Sequence, residues 1–597
     1  MSLSKNFPTV NPSLLLDFAN TRALDPRITF TRASPGTYYD GQTVALAEQN
    51  LLLQSQSLAA GSWTVIGATL SDNVTTAPDA TTTASRITEA ATTGEHYTAQ
   101  TLATFDGGVF TYSVFLRKGN LATAPDWVQL ACGGTNSGYF SVNLATGAAG
   151  NTGGFASTAI TNAGGGWYRV SVSSTIASGA ISFRIGFTNN TNAAVRHPSY
   201  TGAITADVFA WGAQVENRAT ATAYTVTTTT LVTNYQPVLL TAPAGTARFD
   251  SNPVTSESLG LLIEEARTNL VLYSAEFDNA YWTKLGSTIT ASANVAPNGT
   301  VTASAMNFVS GTPQFFRLIS KAASAITYTL SCYAKAYTAS VFQVILSDNT
   351  TGQCTATFNL TTGVITGTTT GTWTSASSTI TPVGNGWYRC SITGTSPANT
   401  GLLPTFTCPN PGSIFVWGAQ LEVGGFATTY IATVATTQLR EADFASIVGT
   451  NFGSWYNNIE GTFYCGFLQR QVVSADQYVF SANNGTASNQ VHLRTFSTAI
   501  AGSITSNGTD VAPLINGTAV ANASFETALA YKINDFAMST NGLTPSTDVL
   551  GNLPAQVVNR IDIGNLLNTG FRNGTIYKIA YYPVRLTNAQ LQTLTQT

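Results

Sequence analysis

The sequence predicts an all-β protein: tandem antiparallel β-sandwich (jelly-roll) domains followed by a further C-terminal sandwich. Three observations predict it. Stretches rich in Thr, Val and Tyr alternate apolar and polar residues, and Gly, Asn and Pro break them about every ten residues. A long passage is written twice in the same order. No helical period persists in either copy.

The bulk numbers bound the answer. A single core rarely grows past about 250–300 residues, so a chain of 597 residues holds several domains. Charged residues make up 9%, against a usual figure of about 25%, so Thr, Ser, Asn and Gly must cover the surface. With 43% hydrophobic and 10% aromatic residues, packed cores are expected rather than disorder. A net charge of −3 without a basic run argues against nucleic acid as a partner. No apolar run approaches the roughly 20 residues of a membrane span, so no membrane insertion is expected. The opening MSLSKNFPTVNPSLLLDF lacks the pattern of a signal peptide, so synthesis in a cytosol is expected.

The repeat sets the domain organisation. FAWGAQVE (209–216) returns as FVWGAQLE (415–422), and GGWYRVSVS (165–173) as NGWYRCSIT (385–393). Asn50, Ser55 and Trp63 fall on Asn269, Ser274 and Trp282. NLATG (143–147) becomes NLTTG (359–363), and the tail ATATAYTVTTTT (219–230) becomes GFATTYIATVATT (425–437). These are two copies of one domain, too long and too few for a solenoid. The expected division is an N-terminal anchor or extended segment 1–49, module 1 at 50–231, a linker 232–268, module 2 at 269–438 and a final sandwich at 439–597.

Within each copy the strands read by alternation. Phe209, Trp211, Ala213 and Val215 are expected on one face, and Ala210, Gly212, Gln214 and Glu216 on the other. Trp167, Trp211, Trp387 and Trp417 then read as core rings. Cys390 stands where copy one has Val170, and Cys332 where it has Val114. A Cys that replaces Val behaves as a small hydrophobe, so all six thiols are expected free. Copy one is 14 residues longer between Trp167 and Trp211 than copy two between Trp387 and Trp417. The excess falls near NNTNAAVRHPSYTG (189–202), read as a solvent loop that carries His197 and Tyr200.

From about 440 the pattern changes. Asn-Gly turn signals at Asn484, Asn507, Asn516 and Asn573 punctuate short strands. GTIYKIAYYPV reads as a strand. A short helix should follow, with Thr587 as N-cap, Gln590 closing a capping box, and Leu586 and Leu591 as a hydrophobic staple.

The flanks carry a resemblance. DPRITFTRAS…YYDG, followed by ARFDSNPVTSESLGLLIEEARTNL, resembles bacteriophage virion proteins of the tail-fibre or head-spike kind, over about 24–50 and 245–437. GLLIEEARTN is its most specific part, and here a further module (50–230) stands between the TRAS and ARFD segments. In that family such segments lead into jelly rolls similar to carbohydrate-binding modules. The ending RIDIGN…GFRNGTIYKIAYYPVRLTNAQLQTL resembles laminin-G-like, concanavalin-like sandwiches. The resemblance implies a virion location, other virion proteins of tail or capsid as partners, a host cell-surface glycan as ligand, and a homotrimer. It implies no cofactor beyond the structural calcium ion that such jelly rolls often hold.

Chemistry is sparse. The three His are scattered and no Cys pair has zinc spacing. Glu264 and Glu265 are adjacent, so in a strand they point to opposite faces and cannot serve one substrate. A salt link between Glu265 and Arg267 is the expected role. No nucleophile elbow or phosphate loop stands out. Loop aromatics are the candidate sugar platforms: Trp127, Tyr139 and Tyr200 in copy one, Trp373 in copy two, and Trp455 and Tyr456 at the start of the last domain. The function expected is therefore a structural tail fibre or spike that displays carbohydrate-binding modules for host attachment, with a capsid decoration protein as the alternative. A depolymerase tailspike is the further alternative, disfavoured because no short β-helix period is present. No enzymatic activity is expected. SLLLDF (13–18) is expected to bury its leucines against a partner chain or the particle.

Overall fold

The computed structural model describes residues 10–309, 314–348 and 352–596. The chain is all-β, built of antiparallel sandwich sheets with three short helices among the described residues. No helix among them is long and apolar enough to cross a membrane. It divides into two compact units, residues 46–235, and residues 1–45 with 236–597.

The first unit is module 1, two six-stranded sheets face to face. One sheet runs, in spatial order, Ala149–Gly153, Tyr139–Asn143, Trp127–Gly134, Gly179–Phe187, Tyr97–Phe105 and Thr64–Ile66. Module 2, in the second unit, repeats that order with Val364–Thr369, Gln353–Asn359, Val341–Ser347, Gly401–Thr407, Gln314–Phe316 and Thr283–Leu285. The facing sheets correspond as well: Trp211 pairs with Phe115 as Trp417 pairs with Tyr333. Val114 lies opposite Val170, and Cys332 opposite Cys390. All six cysteines are free and buried, so Cys at these places packs as Val does.

One strand departs from simple alternation. Gly212 has φ +66° and Gly418 φ +64°, and the pairing register shifts there. This β-bulge adds a residue and flips the faces beyond it. Val208, Ala210, Ala213 and Val215 face the main core, whereas Phe209 and Trp211 join Trp167 in a satellite cluster on the outer side. The expected shared face of Phe209, Trp211, Ala213 and Val215 is therefore corrected. Trp211 is still buried, its ring centroid 4.6 Å from that of Tyr224, and Trp417 lies 4.6 Å from Tyr430.

The repeated polar residues latch each module's tail to its sheets. Glu216 accepts from the backbone N of Thr222 at 2.9 Å and its Oγ1 at 2.5 Å, and Glu422 does the same with Thr428 at 3.0 and 2.5 Å. The Asn50 and Asn269 amides donate to the carbonyls of Ala213 and Ala419. Ser55 meets the Tyr224 hydroxyl, and Ser274 that of Tyr430. The Gln214 amide donates to one tail carbonyl, Ala223 O, and the Gln420 amide to two, Thr428 O and Thr429 O, and each accepts from a tail N–H. Buried amides and carboxylates are tolerable only when so satisfied, and this explains why the phrase is written twice.

The third sandwich gathers strands from three parts of the chain. One sheet joins Phe249–Ser251 and Ser258–Ile263 to Gly574–Tyr582, Glu460–Gln469, Ala523–Lys532, Phe536–Thr540 and Ser546–Asp548. The other begins with Thr29–Thr31 beside Phe444–Val448. Phe249–Ser251 and Ser258–Ile263 of the expected linker, and Leu14–Leu16 and Thr29–Thr31 of the expected N-terminal anchor segment, are thus strands of this sandwich. Leu14–Leu16 pairs antiparallel with Tyr581–Ile579. Leu14 and Leu16 are 1% and 2% exposed and Phe18 is 1% exposed, inside the chain's own core. That burial removes the apolar cost that called for a partner. Residues 1–9 of the expected anchor lie outside the described residues.

The closing helix Asn588–Leu594 is capped by Thr587 with the full capping box to Gln590. Leu586, Leu591 and Leu594 pack together beneath it. Of the four Asn-Gly signals, Asn507–Gly508 forms the two-residue hairpin turn, both φ positive at 51° and 81°, with Ser506 opposite Thr509. Asn516 instead lies within the strand Leu514–Thr518, Asn573 precedes the strand Gly574–Tyr582, and Asn484 opens a longer loop.

Candidate functional site

The most specific sequence motifs converge on one buried ion cluster. TRAS supplies Arg32, ARFD supplies Arg248, GLLIEEARTN supplies Glu264, and LREAD (439–443) supplies Arg440 and Asp443. Asp443 lies 2.9 Å from Arg32 Nη1 and 2.5 Å from Arg248 Nη2. Glu264 lies 2.8 Å from Arg248 Nη1 and 3.5 Å from Arg440 Nη1. All five side chains are at most 4% exposed. Burial works to raise the Glu264 carboxyl, but Arg440, Arg248 and Arg470 outweigh it and hold the acid well below the usual range. The backbone N and Oγ1 of Thr429 complete its shell at 2.8 and 2.6 Å. Three guanidinium groups could grip a ligand carboxylate, but the chain's own Asp443 and Glu264 already fill that place. The cluster ties the motif strands together. Glu265 faces the other way and pairs with Arg267, Nε donating to Oε1 at 2.7 Å.

The two modules differ on the outer face of the sheet described first. In module 1, Gln129, Ser141, Arg184 and Gly186 point outward, since their neighbours Leu130, Val142 and Ile185 lie in the core. The additional residues of copy one lie on this face. Gln129 Nε2 donates to the Val195 carbonyl at 2.8 Å, and Gln129 Oε1 accepts from the His197 backbone N at 2.9 Å. Ser141 donates to Ala193 O at 3.2 Å, Tyr139 to Ala194 O at 2.7 Å, and Arg196 to Cys132 O at 2.9 Å. The His197 ring stacks on Tyr97, centroids 5.0 Å apart. His197 is 2% exposed. Burial, then the charges of Arg184 and Arg196, push its imidazole down to about 3. The segment is therefore a cover seated on the sheet, not the solvent loop expected.

Module 2 connects the equivalent strands with a short turn at 408–411, and its face carries no such cover among the described residues. Register fixes the correspondence. Gln129 pairs with Ser141 and Gly186, and Gln343 with Thr357 and Thr407. Ala131 pairs with Arg184, and Ile345 with Thr405. Phe316 lies beyond Thr405 on the next strand. Gln343, Thr355, Thr357, Leu403 and Phe316 are partly exposed, whereas Gln129 and Ser141 are wholly buried. Gln343 Nε2 donates to Thr357 Oγ1 at 3.0 Å. No charged residue occupies an outward position on these strands. The result is a sheet face of hydroxyls, side-chain amides and apolar patches.

The candidate aromatics separate into two groups. Trp127, Tyr139 and Tyr200 are partly exposed and gather around the covering segment of module 1. The Trp127 carbonyl accepts from Thr188 Oγ1 at 3.0 Å, and Tyr200 donates to Glu89 while its ring lies 4.8 Å from His96. Trp373 is 2% exposed in the core of module 2, and Trp455 is 4% exposed in the third sandwich. Tyr456 packs beside Trp455, its ring 4.6 Å from Phe452 and 5.3 Å from Tyr581. Trp373 and Trp455 are corrected from displayed platforms to core rings, while Tyr456 lies partly buried against the core of the third sandwich. Sequence reasoning missed Gln129 and Gln343. A Gln at the same register place in DWVQLAC and VFQVILS was the available signal. For metals, no three of His, Cys, Asp and Glu cluster among the described residues.

No family model matches the chain, and no curated protein does. Among solved structures it is similar to the CBM40 of a Ruminococcus gnavus IT-sialidase, at 18% identity and TM-score 0.19, covering 23% of this chain and 84% of that one. It is similar to the CBM22-1–CBM22-2 tandem of Paenibacillus barcinonensis Xyn10C, at 10% identity and TM-score 0.18, covering 64% and 98%. It is also similar to a Trypanosoma rangeli sialidase, at 9% identity and TM-score 0.21, covering 92% and 98%. The expectation that the chain is not an enzyme is corrected on this last finding, since enzymes stand among its structural neighbours. At these TM-scores the likenesses assign no activity to this chain.

Proposed function

We propose that this chain is a bacteriophage virion protein, a tail fibre or spike working as a homotrimer, that attaches to a host cell-surface glycan. The observation that carries the glycan reading is the module 2 face that has no covering segment among the described residues, where Gln343, Thr355, Thr357, Leu403 and Phe316 are partly exposed without a charged group. Such a face suits a neutral, hydroxyl-rich ligand: amide and hydroxyl groups exchange hydrogen bonds with sugar hydroxyls, and a ring or aliphatic side chain covers the apolar face of a pyranose. The flanking segments that resemble virion proteins support the particle setting. Immunogold labelling of particles with antiserum against residues 439–597 tests that setting. Label at the tail tip or on projecting spikes is expected, and unlabelled particles would overturn it.

A further inference from the structure

The covering segment of module 1 is tied down at both ends and holds a titratable ring in its middle. Residues 188–199 form no strand and rejoin a sheet at Tyr200–Thr201, which pairs with Thr93–Gly94. At the first end, Asn190 Oδ1 accepts from Asp126 N at 2.8 Å and Asn192 Oδ1 from Asn151 N at 2.7 Å. At the second end, the Glu89 carboxylate accepts from the Tyr200 hydroxyl and from Ala203 N at 2.8 Å, and His96 Nε2 lies 3.1 Å from Tyr200 O. The middle rests on the sheet through hydrogen bonds with Gln129, Ser141 and Tyr139. There His197 has φ +42°, a left-handed conformation that a residue other than glycine keeps only where its surroundings impose it.

Those surroundings suit a neutral imidazole. The His197 ring lies directly on the Gly186 backbone, where a Cβ would come within 2.2 Å of Nδ1, and its face stacks on Tyr97. Neither ring nitrogen has a hydrogen-bond partner among the described residues. The titratable or charged groups on the elements packed here are Tyr97, Arg184 and Tyr139 on the sheet, Arg196 and Tyr200 on the segment, and the Cys132 thiol beneath. The charges that act on the ring are Arg184 and Arg196, both cationic. A proton added to it would set a third positive charge beside two, in a buried place, with a second N–H that has nothing to donate to.

We propose that residues 193–199 are an acid-released strap: proton uptake by His197 frees them from the module 1 sheet and exposes the face of Gln129, Ser141 and Arg184. Seated, the imidazole titrates at about 3; lifted into water, it titrates near 6.5. Between those values the lifted state binds the extra proton. The seated state is thus whole above about pH 6.5 and loses ground as acid is added, and the lifted-to-seated ratio rises about 25-fold from pH 7 to pH 5. The strap works this way whether or not module 2 binds a glycan.

Hydrogen exchange of the full chain at pH 7 and pH 5, read by mass spectrometry with the intrinsic pH dependence divided out, tests the proposal. Peptides spanning 193–199 contain the His197 amide that Gln129 Oε1 holds at 2.9 Å. They are expected to lose protection about 25-fold, while the core strand Trp167–Ile176 keeps its own. His197→Phe keeps a ring on Tyr97, and His197→Asn tolerates the left-handed backbone; neither side chain takes up a proton, and both variants are expected to show no pH response. Unchanged protection of 193–199 in the parent overturns the proposal. So does a response that persists in both variants, which would move the trigger to Glu89 or His96 at the second end. Equal loosening of Trp167–Ile176 would mean that acid unfolds the whole module, and overturns it too. If neither variant folds, deuterium uptake at the His197 imidazole C2 in the parent decides: a titration midpoint well below 6.5 is expected, and one near 6.5 overturns the strap.

Discussion

Replacing Asp443 with Asn should loosen the third sandwich far more than its single lost charge suggests. Asp443 accepts from Arg32 Nη1 at 2.9 Å, Arg248 Nη2 at 2.5 Å and the Glu264 backbone N at 2.9 Å. It is fully buried. With Asn in its place, three buried guanidinium groups face one carboxylate instead of two, and the Asn amide turns a donor toward donors. Breaking a buried pair by removing one partner costs about 3–5 kcal/mol, because the remaining charge has no water to replace the loss. The comparison is Glu265→Gln. Glu265 has a side chain 31% exposed beside Arg267, and a water-screened pair of this kind is worth under about 1 kcal/mol. Hydrogen exchange read by mass spectrometry locates the effect. Amides of Ser258–Ile263 and Phe444–Val448 should exchange about two to four orders of magnitude faster in Asp443→Asn, at about 1.4 kcal/mol per decade. Glu265→Gln should stay within about tenfold. If Asp443→Asn also stayed within tenfold of the parent, the cluster would not be what holds the motif strands together.

Further outcomes follow from burial. Gly186→Val should lift the covering segment off module 1, seen as faster tryptic cleavage after Arg196, because the added carbons overlap His197. Trp373→Ala should cost about 3–5 kcal/mol of module 2 stability in urea melts, the usual price of emptying a core ring site; unchanged stability would return Trp373 to the surface. Leu16→Ala should destabilise the third sandwich by about 2–5 kcal/mol in purified protein free of any particle, whereas an anchor residue would show no effect there. Burial, with Arg494 adding to it and Asp510 opposing, holds His492 down to about 3, while imidazole in the unfolded chain titrates near 6.5. Between those values the unfolded state binds the extra proton. Stability is thus whole above about pH 6.5 and falls by about 1.4 kcal/mol per pH unit as acid is added. His492→Leu should flatten that limb in thermal melts between pH 7 and 4.5; an unchanged slope would count against a neutral buried His492.

The sequence by itself determined the features set by near neighbours and by self-comparison. Duplication was visible as ordered matches, strand content as a period of two, and the closing helix as Thr587 and Gln590 three residues apart. The free thiols followed from Cys332 and Cys390 standing at valine places, because a residue that substitutes for Val in a packed strand has the same surroundings. The tertiary structure alone decided what depends on distant segments. Arg32 and Asp443 are 411 positions apart, and nothing local to TRAS or LREAD says that they meet. Leu14 and Leu16 are apolar whether they face a partner or their own core, and only the pairing with Tyr581–Ile579 settles which. One bulge at Gly212 turned Phe209 and Trp211 away from the face that alternation assigns to Ala213 and Val215. The sheet faces of the two modules look alike strand by strand, yet residues 188–206 cover one, and no such segment lies on the other among the described residues. A cover docks through hydrogen bonds and shape across the sheet, to Gln129 and Ser141 from residues more than fifty positions away and over Gly186 from the segment that follows its strand, and the periodicity of a single strand carries no record of what lies upon it.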